Sequence, residues 1–245
     1  MAYEAAPSDD CAYGNISFWE ERYLSSKCEI FDWYQGNYEA LGLGSLMKKE
    51  DQVLIAGCGT SRLGPDMYDG GFENIYNVDA SHAAISAMEK RYSPKIKEGL
   101  GGLRWKQGDC RYLGGLFDSE SFDVVLDKAL FDALDCADQR SKRMYLAEVA
   151  RLLTPTGKFI CISHGPPEQR LRDLENHDDS SKAFLPWKVS VRALPKQTIQ
   201  PFTMPSLTDL YYVYICQKTQ DFRNKSQRHK KNIKRPGTRT RHDHQ

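Results

Sequence analysis

The sequence predicts an α/β fold: an open, mostly parallel seven-stranded sheet with helices on both faces. Three observations lead there. Short apolar runs alternate with helix-like stretches from Asp51 onward. The first run, Val53-Leu54-Ile55-Ala56, ends in Gly57-Cys58-Gly59. The second, Ile75-Tyr76-Asn77-Val78, closes on Asp79. Strand–helix alternation builds a parallel sheet buried between helices. A glycine turn after the first strand and an acid after the second suit a nucleotide-like ligand, because glycine lets backbone approach closely and a carboxylate takes a ribose diol.

Each element has its own warrant. Strands are expected over 52–57, 74–79, 102–106, 121–127 and 157–163, each a short apolar run. Helices are expected over 61–70, 81–92 and 138–153. In the last, Met144, Tyr145, Val149, Leu152 and Leu153 recur at helical spacing. Asp138 suits its N-cap, and Pro155 and Gly157 stop it. After Ser163 the pattern changes. Lys188-Val189-Ser190-Val191-Arg192 and Leu210-Tyr211-Tyr212-Val213-Tyr214-Ile215 alternate and are rich in β-formers. They read as two late strands added at one edge, joined by a connection containing Pro195, Pro201 and Pro205.

At 245 residues the chain can bury one sizeable core. The expected organisation is a disordered N-terminus over 1–12, one domain over 13–220 opening on an aromatic, partly helical segment, and a disordered basic tail over 221–245. The formal net charge of +1 hides an asymmetry. Residues 223–245 carry nine Lys/Arg and one acid, leaving 25 basic and 32 acidic residues in the remainder. Seven cysteines (11, 28, 58, 110, 136, 161, 216) include no Cys-x-x-Cys pair, and several sit in apolar runs. They read as reduced thiols of a cytosolic or nuclear protein, with no disulfide framework or metal site. No apolar run is long enough to span a bilayer, and the acidic start is no secretory signal.

The Gly57-x-Gly59 turn alone is weak evidence, since a turn without ligand needs the same glycines. Asp79 follows at the spacing of a second strand end. The third glycine of a dinucleotide site is absent, with Ser61 and Arg62 in its region; this disfavours NAD and FAD. Trp105-Lys106-Gln107-Gly108-Asp109-Cys110 ends the third strand in an acid placed for an adenine amino group. Ser121-Phe122-Asp123-Val124-Val125-Leu126-Asp127-Lys128 delivers Asp127 and Lys128 to the carboxyl edge, where open α/β sheets bind ligands. In this order the four elements resemble the Rossmann-like, seven-strand class I methyltransferases that use S-adenosylmethionine.

Further residues narrow the resemblance. Tyr13-Gly14, Phe18-Trp19-Glu20-Glu21-Arg22-Tyr23 and Phe31-Asp32-Trp33-Tyr34 precede Gly57-Cys58-Gly59-Thr60-Ser61-Arg62-Leu63 and Asn77-Val78-Asp79-Ala80-Ser81. Over about Tyr13 to Lys218 the chain is similar to the methyltransferase-like family that includes lysine methyltransferases of translation elongation factor 1-alpha. The resemblance implies that Trp19, Tyr23 and Trp33 help enclose S-adenosylmethionine. It places Gly57 at the methionine end, Asp79 on the ribose with Ala80 beside it, Asp109 and Cys110 at the adenine, and Lys128 near the methionine. Asp127-Lys128-Ala129-Leu130-Phe131-Asp132 departs from the family's Asp/Glu-Lys-Gly-Thr-Leu-Asp, which leaves substrate identity less defined than the cofactor.

Methyl transfer from a sulfonium needs alignment more than acid–base power. A lysine acceptor adds one demand, because its free pKa of about 10.4 keeps it protonated at neutral pH. Asp127 is the candidate to orient the amine or accept its proton, and pairing with Lys128 is its alternative role. His164 faces the same edge and is either a substrate contact or a solvated loop residue. The leading expectation is a protein-lysine N-methyltransferase, a monomer of the cytoplasm, or of cytoplasm and nucleus, acting on a protein such as elongation factor 1-alpha. A small-molecule methyltransferase on the same fold and a non-catalytic module tethered by its tail remain open. The tail Arg228-His229-Lys230-Lys231-Asn232-Ile233-Lys234-Arg235 suits non-specific nucleic acid contact, a nuclear address or plain solvation.

Overall fold

The computed structural model describes residues 12–34, 37–93, 102–175, 185–196 and 210–219. Residues 1–11 of the expected disordered N-terminus, the basic tail over 221–245, and Pro201 and Pro205 lie outside the described residues, and Ala12 opens a short 3-10 helix, Ala12–Gly14. The strands are β1 (Gln52–Ala56), β2 (Asn74–Asp79), β3 (Gly102–Gln107), β4 (Phe122–Lys128), β5 (Leu153–Ser163), β6 (Trp187–Pro195) and β7 (Leu210–Lys218). The helices are α1 (Ile16–Ser25), α2 (Leu63–Asp69), α3 (His82–Tyr92), α4 (Leu130–Asp135), α5 (Gln139–Leu152) and α6 (Pro167–Leu174).

The sheet order is β3-β2-β1-β4-β5-β7-β6. The first five strands in that order run parallel, and β7 runs antiparallel to both β5 and β6. The two late strands do add to one edge, with β7 inserted between β5 and β6. The chain order reverses between β1 and β4, and a crevice opens at the carboxyl ends of strands at such a switch point.

Strand pleating explains the apolar runs. Val53, Ile55, Val124 and Leu126 pack on one face against Leu63 and Met67 of α2 and Ile85 and Met88 of α3. Leu54, Ala56 and Val125 pack on the other face against Phe131 of α4 and Tyr145, Leu146 and Val149 of α5. Successive side chains thus enter two separate cores, so strands buried on both faces need continuous apolar sequence.

Caps fix the helix starts. The Asp138 side chain accepts the Ser141 N–H, so α5 opens where the sequence indicated. Ser81 caps α3 by accepting from Ala84. One boundary differs: β5 starts at Leu153, directly after α5, and the register of β4 against β5 shifts between Phe122 and Val124. Pro155 and Gly157 fall within that irregular stretch, which is how a strand tolerates them.

Candidate active site

The site begins at the turn after β1. Gly57 and Gly59 both adopt left-handed backbone, with φ of 63° and 48°. At Gly57 a Cβ would lie 2.8 Å from Leu130 Cβ, and at Gly59 it would overlap the Tyr23 hydroxyl. Only glycine combines that backbone with that close approach.

Asp79 ends β2 beside this turn. Its carboxylate accepts the Gly59 N–H at 2.8 Å and the Ser81 N–H at 2.9 Å. Burial raises its pKa, opposed by these hydrogen bonds. Glu20 of α1 in turn accepts from Ser81 Oγ at 2.5 Å and from the Ala83 N–H. The aromatic N-terminal helix is thereby fastened to the start of α3.

The N-terminal segment roofs the turn. Trp19 donates its indole N–H to the Tyr13 carbonyl at 2.7 Å and stacks on Tyr23 with ring centroids 6.1 Å apart. Trp33 meets Tyr13, Trp19 and Phe31 edge to face. Asp32 fastens the far end of the segment by accepting from Ser61 Oγ, from the Arg62 N–H at 3.1 Å and from the Lys128 ammonium. Burial lowers the Lys128 pKa, and the Asp32 charge opposes that shift.

Roof and turn border a cleft. Trp19, Tyr23, Trp33, Gly57, Asp79, Ala80, Asp109, Cys110 and Lys128 all line it. The Asp109 carboxylate is gripped by the Arg111 side chain, with Nη2 at 2.7 Å. Tyr13, Ile16, Phe31, Arg111, Leu130 and Leu134, which no sequence motif marks as site residues, also line the cleft. Tyr13 and Phe31 do stand within the aromatic signature, the one signal that could have found them.

Asp127 is placed differently from its expected catalytic position. It is 0% exposed and does not line the cleft. Its carboxylate accepts the Tyr145 hydroxyl at 2.8 Å and the Phe131 N–H at 3.1 Å. Burial pushes its pKa up to about 7, against these hydrogen bonds. The physical reason is strand pleating: adjacent residues of β4 face opposite ways, so Lys128 turns to Asp32 and the cleft while Asp127 turns to α5. Nor do Asp127 and Lys128 form the ion pair considered as the alternative, since Lys128 pairs with Asp32.

A second polar cluster lies beside the cleft. Asp132 of α4 accepts from Tyr34 Oη at 2.5 Å, Arg170 Nη2 at 2.6 Å and Ser163 Oγ. Burial works to raise its pKa, but His164, Arg170 and Ser163 together draw it down to about 2. Arg170 is itself buried and also binds Asp135 at 2.6 Å.

The residues fit S-adenosylmethionine: a tight left-handed glycine turn lining the cleft, a buried carboxylate beside it, and an aromatic wall able to face a sulfonium. A family model described as a methyltransferase domain matches residues 47–219. EEF1A lysine methyltransferase 4 of Bos taurus is 32% identical over 179 residues, covering 68% of this chain and 67% of that one. The eEF1A lysine and N-terminal methyltransferase of Homo sapiens is 31% identical over 163 residues, covering 64% of this chain and 22% of its own length. A crystal structure of magnesium protoporphyrin IX methyltransferase from Synechocystis shares the fold, with a TM-score of 0.58 at 12% identity over 87% of this chain and 99% of that one. The chain belongs to the methyltransferase-domain family and is a class I, S-adenosylmethionine-dependent methyltransferase.

Proposed function

We propose that this enzyme is a protein-lysine N-methyltransferase and that elongation factor 1-alpha is its substrate. The observation that carries the reading is sequence identity to relatives named for that activity, extending over two thirds of both chains. Among the described residues, the cover over the carboxyl end of β4 is the short N-terminal segment and not a separate lid domain, which suits a protein substrate. A cytoplasmic location follows as part of the same proposal.

In this reading Asp79 holds the ribose with Ala80 beside it, Asp109 and Cys110 border the adenine, and Gly57 and Lys128 border the methionine end. When bound, S-adenosylmethionine supplies a methyl group on a sulfonium, open to in-line attack by an amine. The chain's contribution is alignment and exclusion of water. Trp19, Tyr23 and Trp33 cover the cleft, and the Asp32–Lys128 pair keeps the cover closed over the end of β4.

Purified elongation factor 1-alpha incubated with the enzyme and tritiated S-adenosylmethionine tests this. Methylated lysine located by peptide mapping is the expected result. An unlabelled factor alongside other labelled proteins would remove the named substrate, and label in small molecules alone would remove the protein-lysine reading.

A further inference from the structure

His164 stands one strand over from the cleft. It follows β5, whose Ile162 is in register with Lys128 of β4 and accepts the Ala129 N–H at 3.1 Å. Neighbouring strands lie about 4.8 Å apart, so the loop carrying His164 borders the edge where Lys128, Ala129 and Leu130 line the cleft. The N-terminal segment spans the same gap: Trp33 lines the cleft, and the next residue, Tyr34, touches His164.

Tyr34 fixes the state of the imidazole. Its single hydroxyl proton goes to Asp132 at 2.5 Å. The Tyr34 oxygen lies 3.0 Å from His164 Nδ1 and can only accept there. Nδ1 therefore carries the hydrogen, and the neutral ring keeps its lone pair on Nε2. The Asp132 carboxylate, 3.3 Å from Nδ1, supports the ring when it becomes positive. The side chain is 60% exposed, and with Nδ1 facing Tyr34 and Asp132 the other ring nitrogen, Nε2, lies on the side of the ring away from them.

The arrangement is held at a cost. Tyr34 has φ of 60°, a conformation that a bulky side chain rarely takes. Its ring stacks on Tyr211 of β7 at 5.5 Å, and its hydroxyl binds Asp132 and His164. Strain of this kind persists only where the surroundings over-determine it, and it concentrates at working sites. Asp132 is in turn anchored by Arg170 and Ser163. The charged and titratable groups facing the imidazole are thus Tyr34 from the N-terminal segment and Asp132 from α4, with Arg170 of α6 behind them.

We propose that His164 is the base that deprotonates the acceptor ammonium, with Tyr34 and Asp132 as the positioning residues that turn its Nε2 outward. The inference rests on the lysine reading above. One N–H bond of the substrate ammonium breaks, its electron pair stays on nitrogen as the nucleophilic lone pair, and the proton forms an N–H bond at Nε2. Solvent then removes that proton from the exposed ring.

Two measurements test this, one without any reaction. Nitrogen-15 NMR of the full-length protein should show neutral His164 protonated at Nδ1; an Nε2–H tautomer overturns the proposal. The second is methyl transfer to the total protein of a eukaryotic cell extract, read as tritium in methyl-lysine above a no-enzyme blank. His164→Gln should lower the initial rate about 100-fold at neutral pH, with S-adenosylmethionine binding by calorimetry unchanged. The variant's rate should keep rising with pH where the wild type has levelled off. Added imidazole should restore part of the rate to His164→Ala. A His164→Gln variant with wild-type rate and pH profile overturns the role of His164 alone. A wild type that puts no tritium in methyl-lysine overturns the lysine reading and this proposal together.

Discussion

The Asp79 carboxylate accepts the Gly59 N–H at 2.8 Å, tying the end of β2 to the turn that ends β1. One buried acid thus shapes the glycine turn and faces the cleft that the turn borders. Asp79→Ala removes the acceptor for two buried N–H groups, Gly59 and Ser81. Hydrogen bonds to a charged partner contribute about 1.5–3 kcal/mol each, so losing both should cost about 3–6 kcal/mol of stability. S-adenosylmethionine affinity should fall at least about tenfold, the equivalent of one such bond. Thermal melting and calorimetric titration measure the two effects.

Gly59→Ala and Gly71→Ala separate backbone strain from steric fit. Both glycines have positive φ, 48° and 89°. A Cβ at Gly71 has nothing within 4 Å, whereas one at Gly59 collides with Tyr23. Gly71→Ala should cost about 1–2 kcal/mol of stability and leave cofactor affinity unchanged. Gly59→Ala should cost about 3 kcal/mol or more and weaken cofactor binding, because Tyr23 must move out of the cleft wall. Equal effects on cofactor binding would contradict a role for the Gly59–Tyr23 contact in shaping the cleft.

The Asp32–Lys128 pair should respond asymmetrically. Its side chains are 17% and 5% exposed. Lys128→Met leaves Asp32 with hydrogen bonds from Ser61 and Arg62, and should cost about 1 kcal/mol. Asp32→Ala leaves a buried ammonium unpaired and should cost about 3 kcal/mol. In that variant the folded-state pKa of Lys128 drops further below its unfolded value. The unfolded chain then binds more protons, so stability should rise with pH towards the ordinary lysine pKa. Urea melts across that range measure the slope.

Asp127 gives the opposite sign. Its folded pKa of about 7 exceeds the ordinary carboxylate value because it is buried. Between about pH 4 and 7 the folded chain binds the extra proton, so this group's contribution to stability is largest below pH 4 and is lost as pH rises to 7. Asp127→Asn cannot ionise. Its stability relative to wild type should therefore improve steadily from pH 4 to 7 and then level off, while cofactor affinity stays near wild type. A large loss of cofactor affinity would return Asp127 to the site.

Much of this architecture was readable from residues, for identifiable reasons. Strands β1, β2 and β4 bury both faces, which favours apolar runs, interrupted in β2 only by Asn77, whose amide donates to the Arg104 carbonyl, and the glycine or acid that ends each run marks the binding edge. Helix α5 announced itself through Asp138 and its apolar periodicity. Helix α4 did not, because six residues do not complete two turns and its N-cap, Ala129, lies at φ of 75° without a side-chain cap. The direction of Asp127 could not be read from its position at a strand end, since the pleat decides which neighbour faces the cleft. Arg170 was invisible for a different reason. A charge on a polar helix reads as solvent-facing, and only Asp132 and Asp135, more than thirty residues away in sequence, make it interior.

The most direct test of the central claim is amino-acid analysis after transfer from tritiated S-adenosylmethionine to extract protein. A protein-lysine methyltransferase puts tritium in methyl-lysine, depending on wild-type enzyme and strongly reduced with Asp79→Ala. Tritium confined to the acid-soluble small molecules, with none in methyl-lysine, would contradict it.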